Sequence, residues 1–234
     1  MKLINEKAPR AIKNNTMDVY ATKVVACDAS MAIYQFLIAT QTLKQGFGVQ
    51  EMTDQDGNLT AHLVGLFNRT IKFMECGIKP VWVFDGKPPE MKSEELTKRK
   101  EMREKAEEEK KAAIESGDME LAKKMAGRSI RVTTEMTQDA KALIKLMGAP
   151  IIEAPCEAEA QCVELVKGGM AYAVVTEDMD ALTFGANFLL RGLNSKNEPI
   201  LQIELAKLLE DLDLTMDAFI DLCILCGCDY SPSI

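Results

Sequence analysis

The chain has 234 residues, 47% hydrophobic and 27% charged, enough for one α/β domain with a substantial buried core. No window approaches ~18 unbroken apolar residues, so no transmembrane helix is expected, and "MKLINEKAPRAIKNN" lacks the apolar core of a signal peptide. Seven cysteines without a secretory signal imply free thiols in a reducing intracellular compartment. The net charge of −8 speaks at first against a polyanionic partner, but it is unevenly spread. Lys87 to Arg131 holds 13 Lys/Arg against 11 Asp/Glu, and the rest of the chain 15 against 25. Cations bound among the acids would lessen the negative potential that a polyanion meets.

In chain order, apolar β-branched runs predict strands at 23–28 (KVVACD), 80–85 (PVWVFD), 149–155 (APIIEAP) and 170–178 (MAYAVVTED). Helical patterns at 30–43, 61–77, 137–148 and 157–169 separate them. One or two further strands follow in "ANFLLRGLN" and "EPILQIEL", then helices near 204–211 and 215–226. Strands alternating with helices mean βαβ units: an α/β fold with a mainly parallel central sheet flanked by helices. From Pro89 to about Arg131 the rhythm breaks into a charge-rich helical stretch with no apolar seam through Leu96, Met102 and Ile114. Ser93 is placed to cap it and Gly117 to end it. Taken alone, it reads as a solvated helical excursion.

Three strands end in an acid: Asp28, Asp85, and Asp178 followed by Asp180. In an open parallel sheet such ends converge on the crevice where ligands bind. The fourth strand leads to Glu157 and Glu159, and "CGCDY" adds Asp229. Seven carboxylates in one cleft cannot all ionise without compensation, and oxygen-only ligands suit Mg²⁺ or Mn²⁺. Two such ions about 3.5–4 Å apart would clamp the attacking and leaving oxygens of a phosphodiester.

Other signals weigh less. The sole histidine, His62, reads as an ordinary helix residue, so neither a His-based acid/base pair nor a His-rich zinc site can be built. Cys223, Cys226 and Cys228 lack the partners of a zinc set and read as buried free thiols at a helix end. "DQDGN" (54–58) reads as a tight Asp-Gly turn, with Gly57 too early for an EF-hand.

Together "DASMAIYQFL", "GIKPVWVFDGKPPEMKSEELTKR", "EAPCEAEAQC", "TEDMDALTFG" and "DLCILCGCDY" resemble the structure-specific 5′ flap endonucleases, in the family's order and across nearly the whole chain. The resemblance implies a PIN-like 5′ nuclease fold, one nuclease core over 1–234 with a helical arch inserted at about 89–131. It implies two Mg²⁺ ions, for which Mn²⁺ can substitute, and cleavage of 5′ flaps, or 5′ exonuclease action, at the single-strand/duplex junction in replication and repair. By matching positions, Asp28, Asp85, Glu157 and Glu159 are first-metal ligands. Asp178, Asp180 and Asp229 are those of the second, with Glu159 serving both. Lys92 and Arg99 match the basic pair that reaches the scissile phosphate, and their spacing of seven sets them on one face of the charged helix. Tyr34 matches an aromatic that stacks on a base, and Arg69 a basic position near the DNA.

The family's short "MGIxGL" start, its helix–two-turn–helix region and its basic tail with a sliding-clamp motif are expected to be lacking from this chain. The resemblance further implies a monomer that acts in the nucleus. Two rivals remain: a junction-binding module without activity, and a haloacid-dehalogenase-like phosphatase. The second needs a D-x-D-x-T/V motif that "DMDALT" fits poorly.

Overall fold

The computed structural model describes residues 1–42, 52–55, 57–193 and 199–231. In chain order the elements are α1 (Lys2–Lys7), β1 (Ile12–Asn15), β2 (Val24–Asp28), α2 (Ala29–Thr42), α3 (Ala61–Glu75) and β3 (Lys79–Phe84). Then come α4 (Ser93–Ser116), α5 (Met119–Arg128), α6 (Thr134–Leu146), β4 (Ile151–Glu153), α7 (Ala158–Lys167) and β5 (Ala173–Val175). The chain continues through α8 (Asp180–Thr183), β6 (Phe188–Arg191), β7 (Ile200–Glu204), α9 (Leu205–Leu212) and α10 (Met216–Cys226). Among the described residues no helix is long and apolar enough to cross a membrane.

Among the described residues seven strands form one sheet in the order β1-β7-β6-β5-β2-β3-β4. The five from β6 to β4 run parallel, while β7 and β1 add an antiparallel margin. Side chains alternate between the two faces with period two. Val25 and Cys27 of β2, with Trp82 and Phe84 of β3, enter a core with Ile33, Leu66, Phe73 and Ile144 from α2, α3 and α6. Ala26 and Val83 point the other way, to Cys162 and Val163 of α7, Leu182 of α8 and Leu208 of α9. Helices on both faces explain why these strands read as continuous apolar runs. The sequence pattern missed β1: its "IKNN" is poor in strand formers. It is held by its ladder to β7, an Asn15 Nδ2 bond to the Tyr20 hydroxyl (2.9 Å), and the Tyr20 bond to Gln202 Oε1 (3.0 Å).

Chain order reverses at β2, whose neighbours are β3 and, after a long excursion, β5. That is the switch point at which α/β sheets open a crevice. Over it stands the α4/α5 helical hairpin. Its joint is Gly117, left-handed at φ 78°, followed by Asp118, whose Oδ1 accepts the Leu121 N–H (2.9 Å) to cap α5. Ser93 does not cap α4: a 3₁₀ turn (Glu90–Lys92) leads straight in, and Lys92 occupies the cap position without a side-chain bond to the helix backbone. The only buried residues of α4 are Ala106 and Ala113, seven apart, a narrow seam packed on α5 that larger side chains would have made visible. Around 54–58, Asn58 N–H bonds back to Asp54 Oδ1 (2.8 Å) and Gly57 has φ 88°, consistent with the expected turn, although residue 56 lies outside the described residues.

Candidate active site

Strand termini put the acids together. Asp28 ends β2, and its Oδ1 accepts the Met31 N–H (2.9 Å), so it caps α2 without an intervening loop. Asp85 follows β3, and its Oδ1 accepts the Ala158 N–H (2.8 Å) at the start of α7. That bond brings in Glu157 and Glu159, one on either side of Ala158. Asp178 Oδ1 accepts the Asp180 N–H (3.1 Å), which folds the chain after β5 back toward the crevice. The outcome is a cavity of about 930 Å³ lined by Asp28, Asp85, Glu157, Glu159, Asp178 and Asp229, with Tyr34 on its wall and Lys92, Arg99, Arg103, Lys105 and Arg128 facing it from the hairpin and its lead-in turn.

The acids fall into two electrostatic classes. Burial pushes the Asp28 carboxyl up to about 7, aided by Asp85 and Asp178 and opposed by the Met31 N–H. Burial pushes Glu159 up to about 9, with Asp178, Asp28 and Asp180 adding repulsion, and Glu159 Oε1 is buried with no hydrogen-bond partner. Asp180 is not on the cavity wall, yet burial, then Asp178 and Asp229, raise it to about 6. Glu157 and Asp229 are different, because they hold cations of the protein's own. Lys92 Nζ is 2.5 Å from Glu157 Oε1 and 2.7 Å from Asp229 Oδ2, and Arg99 Nη2 is 2.5 Å from Asp229 Oδ1. Burial works against the Lys92 ammonium, but these bonds outweigh it and raise its pKa. Burial likewise opposes the Asp229 carboxylate, and the same two cations bring it below its ordinary value.

Among the described residues no three Asp, Glu, His or Cys side chains form a ready-made metal cage. The donor set nevertheless fits a hard divalent cation. It is all oxygen, burial and then neighbouring acids drive Asp28 and Glu159 toward protonation, and one buried oxygen of Glu159 is orphaned.

Several expected positions sit differently from the sequence reading. Lys92 lies on the 3₁₀ turn rather than on α4, and the convergence with Arg99 is made by the side-chain tips on Asp229. Glu177, the first acid of "TEDMD", faces away: it accepts the Gly192 N–H (2.8 Å) and pairs with Arg191. Arg69, expected near DNA, is nine-tenths buried. Its guanidinium stacks 4.1 Å from the Phe36 ring centre and reaches Gln35 Oε1 at 3.5 Å, while burial lowers its pKa to about 10. Such a guanidinium braces α2 against α3.

His62 is buried between helices with neither ring nitrogen hydrogen-bonded, and burial lowers its pKa. The expected buried thiols at the end of α10 are only partly covered, and Cys226 is exposed. Sequence reasoning missed Arg103, Lys105 and Arg128 as cavity residues. The signal for Arg103 was its place one turn beyond Arg99.

Two family models match the chain: the XPG N-terminal domain over residues 1–106 and the XPG I-region over 148–229. Flap endonuclease 1 of Tetrahymena thermophila is 56% identical over 230 residues, covering 98% of this chain and 60% of that protein. Thus the chain spans about 60% of the length of the curated relatives it matches. The catalytic core of Rad2 in complex with DNA substrate superposes with a TM-score of 0.73 at 28% identity, covering 99% of this chain and 63% of that one. Flap endonuclease-1 from Methanococcus jannaschii has a TM-score of 0.72 at 39% identity, covering 94% of this chain and 69% of that one. With 39% identity across 69% of the Methanococcus protein and both XPG models matched, the chain belongs to the flap endonuclease family.

Proposed function

We propose that the chain carries the chemistry of a Mg²⁺-dependent DNA endonuclease that cuts at the junction of a 5′ flap and duplex, with 5′ exonuclease action at the same centre. The observation that carries this reading is one cavity in which strand-end carboxylates, a basic pair and a half-exposed tyrosine meet beneath a helical hairpin that turns Arg103, Lys105 and Arg128 toward it. Asp28, Asp85, Glu157 and Glu159 would hold one cation; Asp178, Asp180 and Asp229, sharing Glu159, the other. When bound, these ions supply Lewis-acid stabilisation of charge on the phosphodiester and lower the pKa of the attacking water.

The chain's own groups do the rest. Lys92 and Arg99 exchange carboxylate for phosphate oxygens and stabilise charge that develops there. Tyr34 stacks on an unpaired base near the cut. Unstacking costs a few kcal/mol, so an already frayed junction is the favoured substrate. The α4/α5 hairpin is the arch beneath which the flap lies, and Arg103, Lys105 and Arg128 line its underside. We place the protein in replication and repair inside the nucleus, as a monomer. Nothing at the site favours a phosphatase: the residues after Asp180 are Ala181 and Leu182, both buried in the core.

The test is single-turnover cleavage of a labelled 5′-flap duplex in Mg²⁺, in Ca²⁺ and with Asp180→Ala. Cutting near the junction in Mg²⁺, lost in the variant, is expected. Full activity of Asp180→Ala would overturn the metal assignment; flap binding without cutting in Mg²⁺ would leave a junction-binding module.

A further inference from the structure

The seven acids do not share one fate. Among the described residues the inner acids form no ion pair, whereas Glu157 and Asp229 are closed by Lys92 and Arg99. Lys92 is well enclosed, its side chain 16% exposed, and its ammonium lies 5.6 Å from the Tyr230 ring centre. Its backbone is less firmly held, on a short 3₁₀ turn without a side-chain cap, next to an exposed Met91. An ammonium held against a carboxylate oxygen repels a divalent ion brought to the same oxygen and competes with it for the lone pairs.

We propose that Lys92, braced by Arg99, is a built-in counter-cation that a divalent ion must displace from Asp229 and Glu157, so that loading this outer half of the cleft and freeing Lys92 for phosphate are one exchange. No proton moves, because Lys92 leaves as ammonium and one cation replaces another. The inference rests on the metal reading above. It also gives the cleft a reason to be stable before cations arrive, since its outer acids are already neutralised. By linkage, a phosphate that draws Lys92 away favours the incoming ion, and the ion favours phosphate by the same factor.

The experiment is a Mn²⁺ titration of the folded protein without DNA, followed by calorimetry and by the electron paramagnetic resonance signal of free Mn²⁺. Lys92→Gln is compared with Lys105→Gln, which removes the same charge from the wall of the same cavity. Lys92→Gln is expected to tighten the weaker Mn²⁺ site at least about fivefold, and Lys105→Gln to change it much less. Unchanged or weaker binding in Lys92→Gln, or an equal gain in Lys105→Gln, would overturn the exchange. Should Lys92→Gln not fold, Arg99→Gln on the more exposed side of the pair must show a gain in the same direction, and its absence counts equally against the proposal. A wild-type protein that binds no Mn²⁺ would instead sink the metal reading itself.

Discussion

Asp85 Oδ1 accepts a 2.8 Å hydrogen bond from the backbone N–H of Ala158, 73 residues away in sequence. The N-cap residue of α7, Glu157, makes no side-chain cap bond of its own, so a neighbouring strand end supplies it. The bond fixes the β3 terminus to the segment carrying Glu157 and Glu159. Asp85 is thus both a site acid and a helix cap.

The two roles separate by substitution. Asp85→Asn keeps an acceptor and loses the charge; Asp85→Ala loses both. Both variants should lose cleavage, while Asp85→Ala should be less stable than Asp85→Asn by about 1 kcal/mol. Urea unfolding of the two, in chelator, checks this, and equal midpoints would remove the capping role.

Gly65 in α3 faces Phe36, and a Cβ there would lie 2.1 Å from the ring. The ring is also the platform for Arg69, so displacement would be felt along α2, which carries Tyr34. Gly→Ala in a helix gains up to about 1 kcal/mol, but overpacking costs about 1–3 kcal/mol. Gly65→Ala should therefore be net destabilising, read as a lower denaturation midpoint. A stabilised variant would mean that Phe36 yields freely.

Without divalent cations the inner acids make stability depend on pH. Glu159, raised to about 9, binds a proton in the folded protein that the unfolded chain has released. Stability from this group is complete below the unfolded value near ~4.3 and is lost as pH rises toward 9. His62, whose pKa is lowered, acts in the opposite sense: its contribution is present above its ordinary value and lost as pH falls. Between about pH 7 and 8.5 the Glu159 trend should dominate. The melting temperature in chelator should fall over that range, more in wild type than in Glu159→Gln, and added Mg²⁺ should restore more at the upper end. A wild-type slope equal to the variant's would refute the assignment.

Tyr34, 38% exposed on the cavity wall, is suited to stacking through its ring. A base–aromatic stack is worth about 1–3 kcal/mol, so Tyr34→Ala should slow single-turnover flap cleavage roughly 5- to 150-fold, with Tyr34→Phe near wild type. If Tyr34→Phe fell as far as Tyr34→Ala, the hydroxyl rather than the ring would be the operative group.

Strand runs at 24–28, 79–84 and 173–175 were legible because burial on both faces demands unbroken apolar sequence. The acids that follow them were legible as a set because parallel strand ends must share one crevice. The five motif blocks carried the family resemblance by themselves. Tertiary structure alone decided which acids would be paired and which left to repel one another, since Asp229 meets Lys92 and Arg99 only after the hairpin folds over the sheet. It also decided that Arg69 is a brace, because burial depends on where Phe36 and Gln35 come to lie. The polar strand β1 and the Ala106/Ala113 seam depend on non-local partners, and local periodicity carries no record of these. Spacing along a chain sets which way side chains point; which charges meet is set by distances that only the folded sheet and hairpin create.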